Sequence, residues 1–145
     1  METILTRVPR LTQKQVEAYK GQSAATLHEA MGRYGAIDGH IRPLKRGMHI
    51  CGNALTVECH TGDNIMLVKA ISMAKPGDVL VANMGLASAI GPFGEVLATE
   101  CCEKKIGGLV INSSVRDTKE IIEMGFPVFS AGIGISGTAK ATLGT

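Results

Sequence analysis

Apolar and polar positions along this chain change period several times, and each change predicts an element. TQKQVEAYK, from Thr12, reads as a helix, and SAATLHEAMGRYG, from Ser23, as a second one. Ser23 and Thr26 both suit an N-cap, and Gly35 suits a stop. Leu27, Ala30, Met31 and Tyr34 fall on one helical face, which predicts that they pack inward. Gly35 to Pro43 reads as a connector. HICGNALTVEC, His49 to Cys59, alternates loosely and predicts a strand, with Gly52 at a bulge or close approach. Asp63 then caps NIMLVKAISMA, a helix apolar nearly all round, which calls for a central place or cover from a neighbouring subunit.

After the turn KPGD the alternation tightens. DVLVANM reads as a short buried strand, and Gly85 to Gly94 as a loop of small residues. Glu95 to Lys105 reads as a helix stopped by Gly107 and Gly108. LVIN is a strand, Asp117 or Thr118 caps the helix TKEIIEMG, and PVFSAG is the next strand. Short apolar strands alternating with helices predict an α/β fold with a parallel or mostly parallel sheet and right-handed crossovers. A length of 145 residues suits a single domain, residues 1–145, without internal repeats.

Composition narrows the function classes. Apolar residues make up 45% of the chain and charged residues 19%, the balance of a globular protein. The net charge of +2 comes from scattered basic residues, which argues against a nucleic-acid or membrane partner. RPLKR, Arg42 to Arg46, is the one weakly basic cluster and reads as a solvated loop. Cys51, Cys59, Cys101 and Cys102 form no CxxC, which predicts free thiols in a reducing cytoplasm. The four histidines show no paired ligand spacing, and no motif for methyl transfer is present. GIGISG, Gly132 to Gly137, matches GxGxxG, but no acidic residue follows to meet a ribose, so it reads as a tight-turning loop.

One constellation carries chemistry. Glu95 is separated by twenty residues from the adjacent pair Arg116 and Asp117. A helix and a strand fill that interval, so both ends are predicted at the carboxyl edge of the sheet, where open α/β sheets bind ligands. The N–H groups of Gly94, Glu95, Val96 and Leu97 at the helix N-terminus suit a small anion such as a carboxylate. Arg116 offers a planar fork for a carboxylate or an enolate oxygen. Asp117 is a hard oxygen ligand suited to magnesium or manganese. Each residue also has a plain structural role open to it. Asp117 can cap its helix for about 1 kcal/mol. Glu95 can complement a helix dipole, and Arg116 can pair on the surface for almost nothing.

GEVLA…GGLVINSSVRD with GFPVFSAG resembles the metal-dependent 4-hydroxy-4-methyl-2-oxoglutarate aldolases, which share a fold with the regulator of ribonuclease activity A (RraA-like) proteins. SAATLHEAMGRYGAIDGHIRPL, GNALTVEC, GDNIMLVKAI and KPGDVLVAN extend the resemblance over nearly the whole chain. It implies a swivelling β/α domain, with a mixed sheet and flanking helices, assembled as a homotrimer or hexamer. It implies aldol cleavage of a small 2-oxo acid to pyruvate, with oxaloacetate decarboxylation as a second activity and Mg2+ or Mn2+ as cofactor. By position, the amides of Gly94 to Leu97 hold the substrate carboxylate, Arg116 steadies the enolate, and Asp117 binds the metal. Glu95 takes a place often held by Asp and acts on the metal through water. The family continues through further strands beyond GTAKATLGT, so the resemblance also implies a domain lacking those strands. It leaves two other outcomes open, a regulator that binds a ribonuclease and an inactive family member.

Overall fold

A computed structural model describes residues 4–85 and 89–140. The tip of the predicted loop at 86–88 and the last residues of GTAKATLGT, 141–145, lie outside the described residues. The elements are α1 (Gln13–Tyr19), α2 (Ala24–Ala30), β1 (Arg42–Pro43), β2 (Ala54–Glu58), α3 (Ile65–Met73), β3 (Val79–Asn83), α4 (Glu95–Glu103), β4 (Gly108–Val115), α5 (Thr118–Glu123) and β5 (Val128–Ile133). They build a five-stranded sheet in the order β1-β5-β4-β3-β2. Strands β2 to β5 are parallel to their neighbours, and β1 runs antiparallel to β5. The sheet is therefore mixed, with helices flanking it.

The parallel strands lie in sequence order across the sheet, and α3, α4 and α5 pack side by side. Leu80, Leu109, Ile111 and Val128 on the strands meet Leu67, Ile71, Cys101 and Ile121 on the helices, all fully buried. Burying one such side chain stabilises the fold by about 1.5–3 kcal/mol. Alternate strand residues behave differently. Val81, Val110 and Phe129 are only half-buried and floor a hollow of about 750 Å³ beneath the N-terminal segment. Among the described residues, no helix is long and apolar enough to cross a membrane.

Three expectations need correction. The predicted connector contains β1, whose two residues pair with Ser130 and Phe129 of β5. The predicted strand from His49 begins only at Ala54. Gly52 is the close approach, because a Cβ there would strike the Gly77 carbonyl oxygen, and regular pairing starts beyond it. Helix α2 ends at Ala30, before left-handed turns at Gly32, Arg33 and Gly35. Its expected inward face does not pack: Met31 is 62% and Tyr34 79% exposed, Ala30 is exposed and Leu27 is half-buried. Helical spacing reports that residues share a face, and it does not supply the surface that would cover them.

Candidate functional site

The parallel strands all release their chains at one edge, and those connections build a cleft of about 210 Å³. The segment after β2 brings Asn64, and the segment after β3 brings Pro92, Gly94 and the first turn of α4. Arg116 and Asp117 follow β4, while Gly137, Thr138 and Lys140 follow β5.

Hydrogen bonds lock these segments together. The Arg116 N–H donates to the Phe93 carbonyl at 3.0 Å, and the Ser113 hydroxyl donates to the Ile90 carbonyl at 2.7 Å. The last segment is tied down by Gly91 N–H to the Ser136 carbonyl at 2.9 Å and by Ala139 N–H to the Gly62 carbonyl at 2.9 Å. The GIGISG stretch thus serves as a strap along the cleft and opens no helix among the described residues.

The interval between Glu95 and Arg116 closes as the strand-helix-strand order predicts. The Glu95 N–H donates to Asp117 Oδ2 at 3.0 Å. Asp117 occupies the N-cap position of α5, yet it makes no side-chain cap bond there. Its carboxylate instead caps the neighbouring helix α4, so the plain capping role expected for it is corrected. Asp117 has φ 53° and ψ 40°, left-handed backbone that few residues other than glycine adopt. Such strain persists where the surroundings over-determine it. Here the turn aims the carboxylate back across the sheet edge. Gly94 makes the approach feasible, because a Cβ at that position would strike the Asp117 carboxylate and come within 2.9 Å of Arg116 Cγ.

Arg116 and Asp117 are only loosely paired. Arg116 Nε lies 3.7 Å from Asp117 Oδ2, an ion pair beyond hydrogen-bond range, and the side chains are 45% and 40% exposed. The guanidinium therefore keeps donors for a ligand. The N–H groups of Val96 and Leu97 belong to the first turn of α4 and have no acceptor among the described residues. Gly94, Val96, Leu97, Arg116 and Asp117 thus meet on one cleft. The Glu95 N–H is taken by Asp117, and its side chain is exposed between Gly94 and Val96, which line the cleft. The substrate-binding N–H expected of Glu95 is already in use.

The donor set can be tested against a metal. Among the described residues, no group of three or more His, Cys, Asp or Glu could hold an ion. Asp117 Oδ1 has no partner among those residues, since only Oδ2 is engaged. Magnesium is commonly held by one or two carboxylates while it keeps several waters. The residues fit such a hydrated ion at Asp117, and they do not fit a closed cage. Thiol chemistry has no support here. Burial pushes the Cys59 thiol up to about 11 and the Cys101 thiol up to about 12, so both stay protonated at neutral pH.

Sequence reasoning missed Asn64, the strap residues Gly137, Thr138 and Lys140, and the spacing glycines Gly91 and Gly134. A Cβ at Gly134 would come within 2.6 Å of the Ala89 carbonyl oxygen. No local signal marks these positions, because each acts through a partner distant in the chain.

The chain is similar to several known proteins. A protein of Halalkalibacterium halodurans named "Putative 4-hydroxy-4-methyl-2-oxoglutarate aldolase" is 30% identical over 104 residues, covering 72% of this chain and 50% of its own. A Bacillus cereus protein of the same name is 27% identical over 70 residues, covering 48% of this chain and 44% of its own. The chain spans about half the length of these curated relatives. Two solved structures share the fold. The RNA-processing inhibitor RraA from Thermus thermophilis superposes with a TM-score of 0.76 at 22% identity, covering 86% of this chain and 75% of its own. RraAS2 from Streptomyces coelicolor, described as an unusual member of the RNase ES inhibitor RraA family, gives 0.80 at 22% identity, covering 93% and 70%. The model of the family described as "RraA-like: Aldolase/RraA" matches residues 24–145, and the chain belongs to that family.

Proposed function

We propose that this chain is a divalent-metal-dependent lyase that cleaves 2-oxo acids of the 4-hydroxy-4-methyl-2-oxoglutarate type to pyruvate, with oxaloacetate decarboxylation as a second activity. The observation that carries the reading is the meeting of Arg116, Asp117 and the α4 N-terminus on one cleft.

The amides of Val96 and Leu97, at the positive end of α4, receive the substrate carboxylate. Arg116 sits beside them, its guanidinium free to face the keto oxygen. Cleavage breaks the bond between C3 and C4. Its electron pair moves onto the keto group and makes a pyruvate enolate, the C4 hydroxyl loses its proton, and C4 becomes the carbonyl of a second product. Arg116 stabilises the negative charge that develops on the enolate oxygen. Protonation at C3 completes pyruvate. Among the described residues no histidine, cysteine or tyrosine lines the cleft, and water carries the protons. Asp117 would hold the divalent ion, which when bound supplies Lewis acidity at the keto oxygen. Glu95 would act on that ion through water.

The test is pyruvate release from 4-hydroxy-4-methyl-2-oxoglutarate and from oxaloacetate, with magnesium and with chelator, against Arg116→Ala. Magnesium-dependent release that the variant loses supports the reading. Release that survives Arg116→Ala sinks the assigned roles.

A further inference from the structure

One buried hydroxyl holds the junction of two cleft walls. Strand β4 carries a bulge: Ile111 pairs with Ser130 of β5 and Ser114 with Gly132, so three steps along β4 match two along β5. Bulges re-aim side chains and gather beside functional sites. The two residues inside this one, Asn112 and Ser113, both reach the segment between β3 and α4. Asn112 takes the β3 end, where its Oδ1 accepts the Met84 N–H at 2.7 Å and its Nδ2 donates to the Gly85 carbonyl at 3.2 Å. Ser113 takes the α4 end, where its hydroxyl donates to the Ile90 carbonyl at 2.7 Å. Ser113 is fully buried and does not itself line the cleft.

Ile90 forms a bridge with Ser136, and the next residue, Gly91, donates its N–H to the Ser136 carbonyl at 2.9 Å. From there one wall runs through Pro92 and Gly94 into the first turn of α4, and the other through Gly137 and Thr138 to Lys140. Room at the junction is tight, since a Cβ at Gly91 would strike the Gly134 carbonyl oxygen and come within 3.3 Å of Arg116 Cβ. We infer that Ser113 is a positioning residue: through Ile90 it sets where the α4 N–H groups stand relative to Arg116, and so how well the cleft fits an anionic ligand. The inference takes its substrate from the proposed function, while the placement of the α4 amides can be read with a simple dianion. A misplacement of about 1 Å in such a constellation can cost as much as a hundredfold. A hydroxyl that merely stabilised the fold would change the amount of folded chain and leave KM where it was.

The test measures magnesium-dependent pyruvate release from 4-hydroxy-4-methyl-2-oxoglutarate by Ser113→Ala, Ser113→Thr and Asn112→Ala. In parallel, NMR follows the Val96 and Leu97 amide resonances as oxalate is added. Ser113→Ala should raise KM about tenfold with kcat within about twofold of the parent, the pattern of lost uniform binding. It should weaken the oxalate response by a similar factor. Ser113→Thr, which keeps the hydroxyl, should restore both. Asn112→Ala, at the far end of the segment, should leave both within about twofold. An unchanged KM and oxalate response in a folded Ser113→Ala chain overturns the inference. An equal loss in Asn112→Ala overturns it as well, because the whole segment has then loosened. If circular dichroism shows Ser113→Ala unfolded, Ser113→Cys, a weaker donor, is read in the same way. A parent that responds to oxalate but releases no pyruvate removes the proposed function, and the oxalate titrations of the variants then decide the inference alone. A parent that does neither removes both.

Discussion

Two arginine–aspartate pairs in this chain use the same side chains to opposite ends. Arg10 and Asp78 lie 68 residues apart in sequence, and their side chains close into a two-pronged contact, with Nη2 to Oδ2 at 2.8 Å and Nη1 on Oδ1. Asp78 is 1% exposed and also accepts the Lys75 N–H at 2.8 Å. That hydrogen bonding raises the Arg10 pKa further above its usual range. The pair fastens the N-terminal segment to the turn before β3. Arg116 and Asp117 are chain neighbours, yet they meet only at 3.7 Å and remain about half exposed. In the first pair both carboxylate oxygens are engaged, and Asp78 has nothing left for a ligand. The second keeps free donors and a free oxygen on a cleft, on strained backbone. Unfilled hydrogen-bonding capacity, rather than residue type, separates the candidate site from the strut.

Four substitutions sharpen this contrast. Arg116→Ala should lower kcat/KM roughly a thousandfold, about 4 kcal/mol. Its unfolding free energy should stay within about 0.5 kcal/mol of the parent, because the pair is exposed. Arg10→Ala should do the reverse. It leaves a buried carboxylate partly unpaired, and urea unfolding should show a loss of about 2–3 kcal/mol with kcat/KM unchanged. An Arg10→Ala chain that unfolds like the parent would undo the contrast from the structural side. Gly94→Ala drives a methyl into the space of the Asp117 carboxylate and Arg116. It should raise KM about tenfold and cost about 1 kcal/mol as Glu95 loses its cap. The smallest shift in stability is expected for Asp117→Asn, under about 0.5 kcal/mol, since asparagine tolerates left-handed backbone and can accept the Glu95 N–H. The same variant should lose its response to magnesium. A magnesium titration indistinguishable from the parent would remove Asp117 as the ligand.

Much of this was legible in the residues. The strand and helix alternation from Asp63 onward anticipated α3 to β5, because each element there satisfies its own periodicity against one shared core. The convergence of Glu95 with Arg116 and Asp117 followed from that order, and the 3.0 Å bond from Glu95 to Asp117 realises it. The inward face expected of α2 failed for a different reason. Tyr34 and Met31 share the right spacing, but no described surface covers them.

The sequence by itself determined the parallel α/β layer and the edge at which Arg116 and Asp117 emerge, because these follow from local period and from chain direction. Only the tertiary structure decided that Asp117 caps α4 instead of its own helix, that the Glu95 N–H is spent on that cap, and that the Asn64 oxygen has no hydrogen-bond partner among the described residues. Those outcomes depend on which loop meets which across the sheet edge, and on glycines whose missing side chains leave room for the meeting. Such contacts join residues far apart in the chain, so no local pattern encodes them.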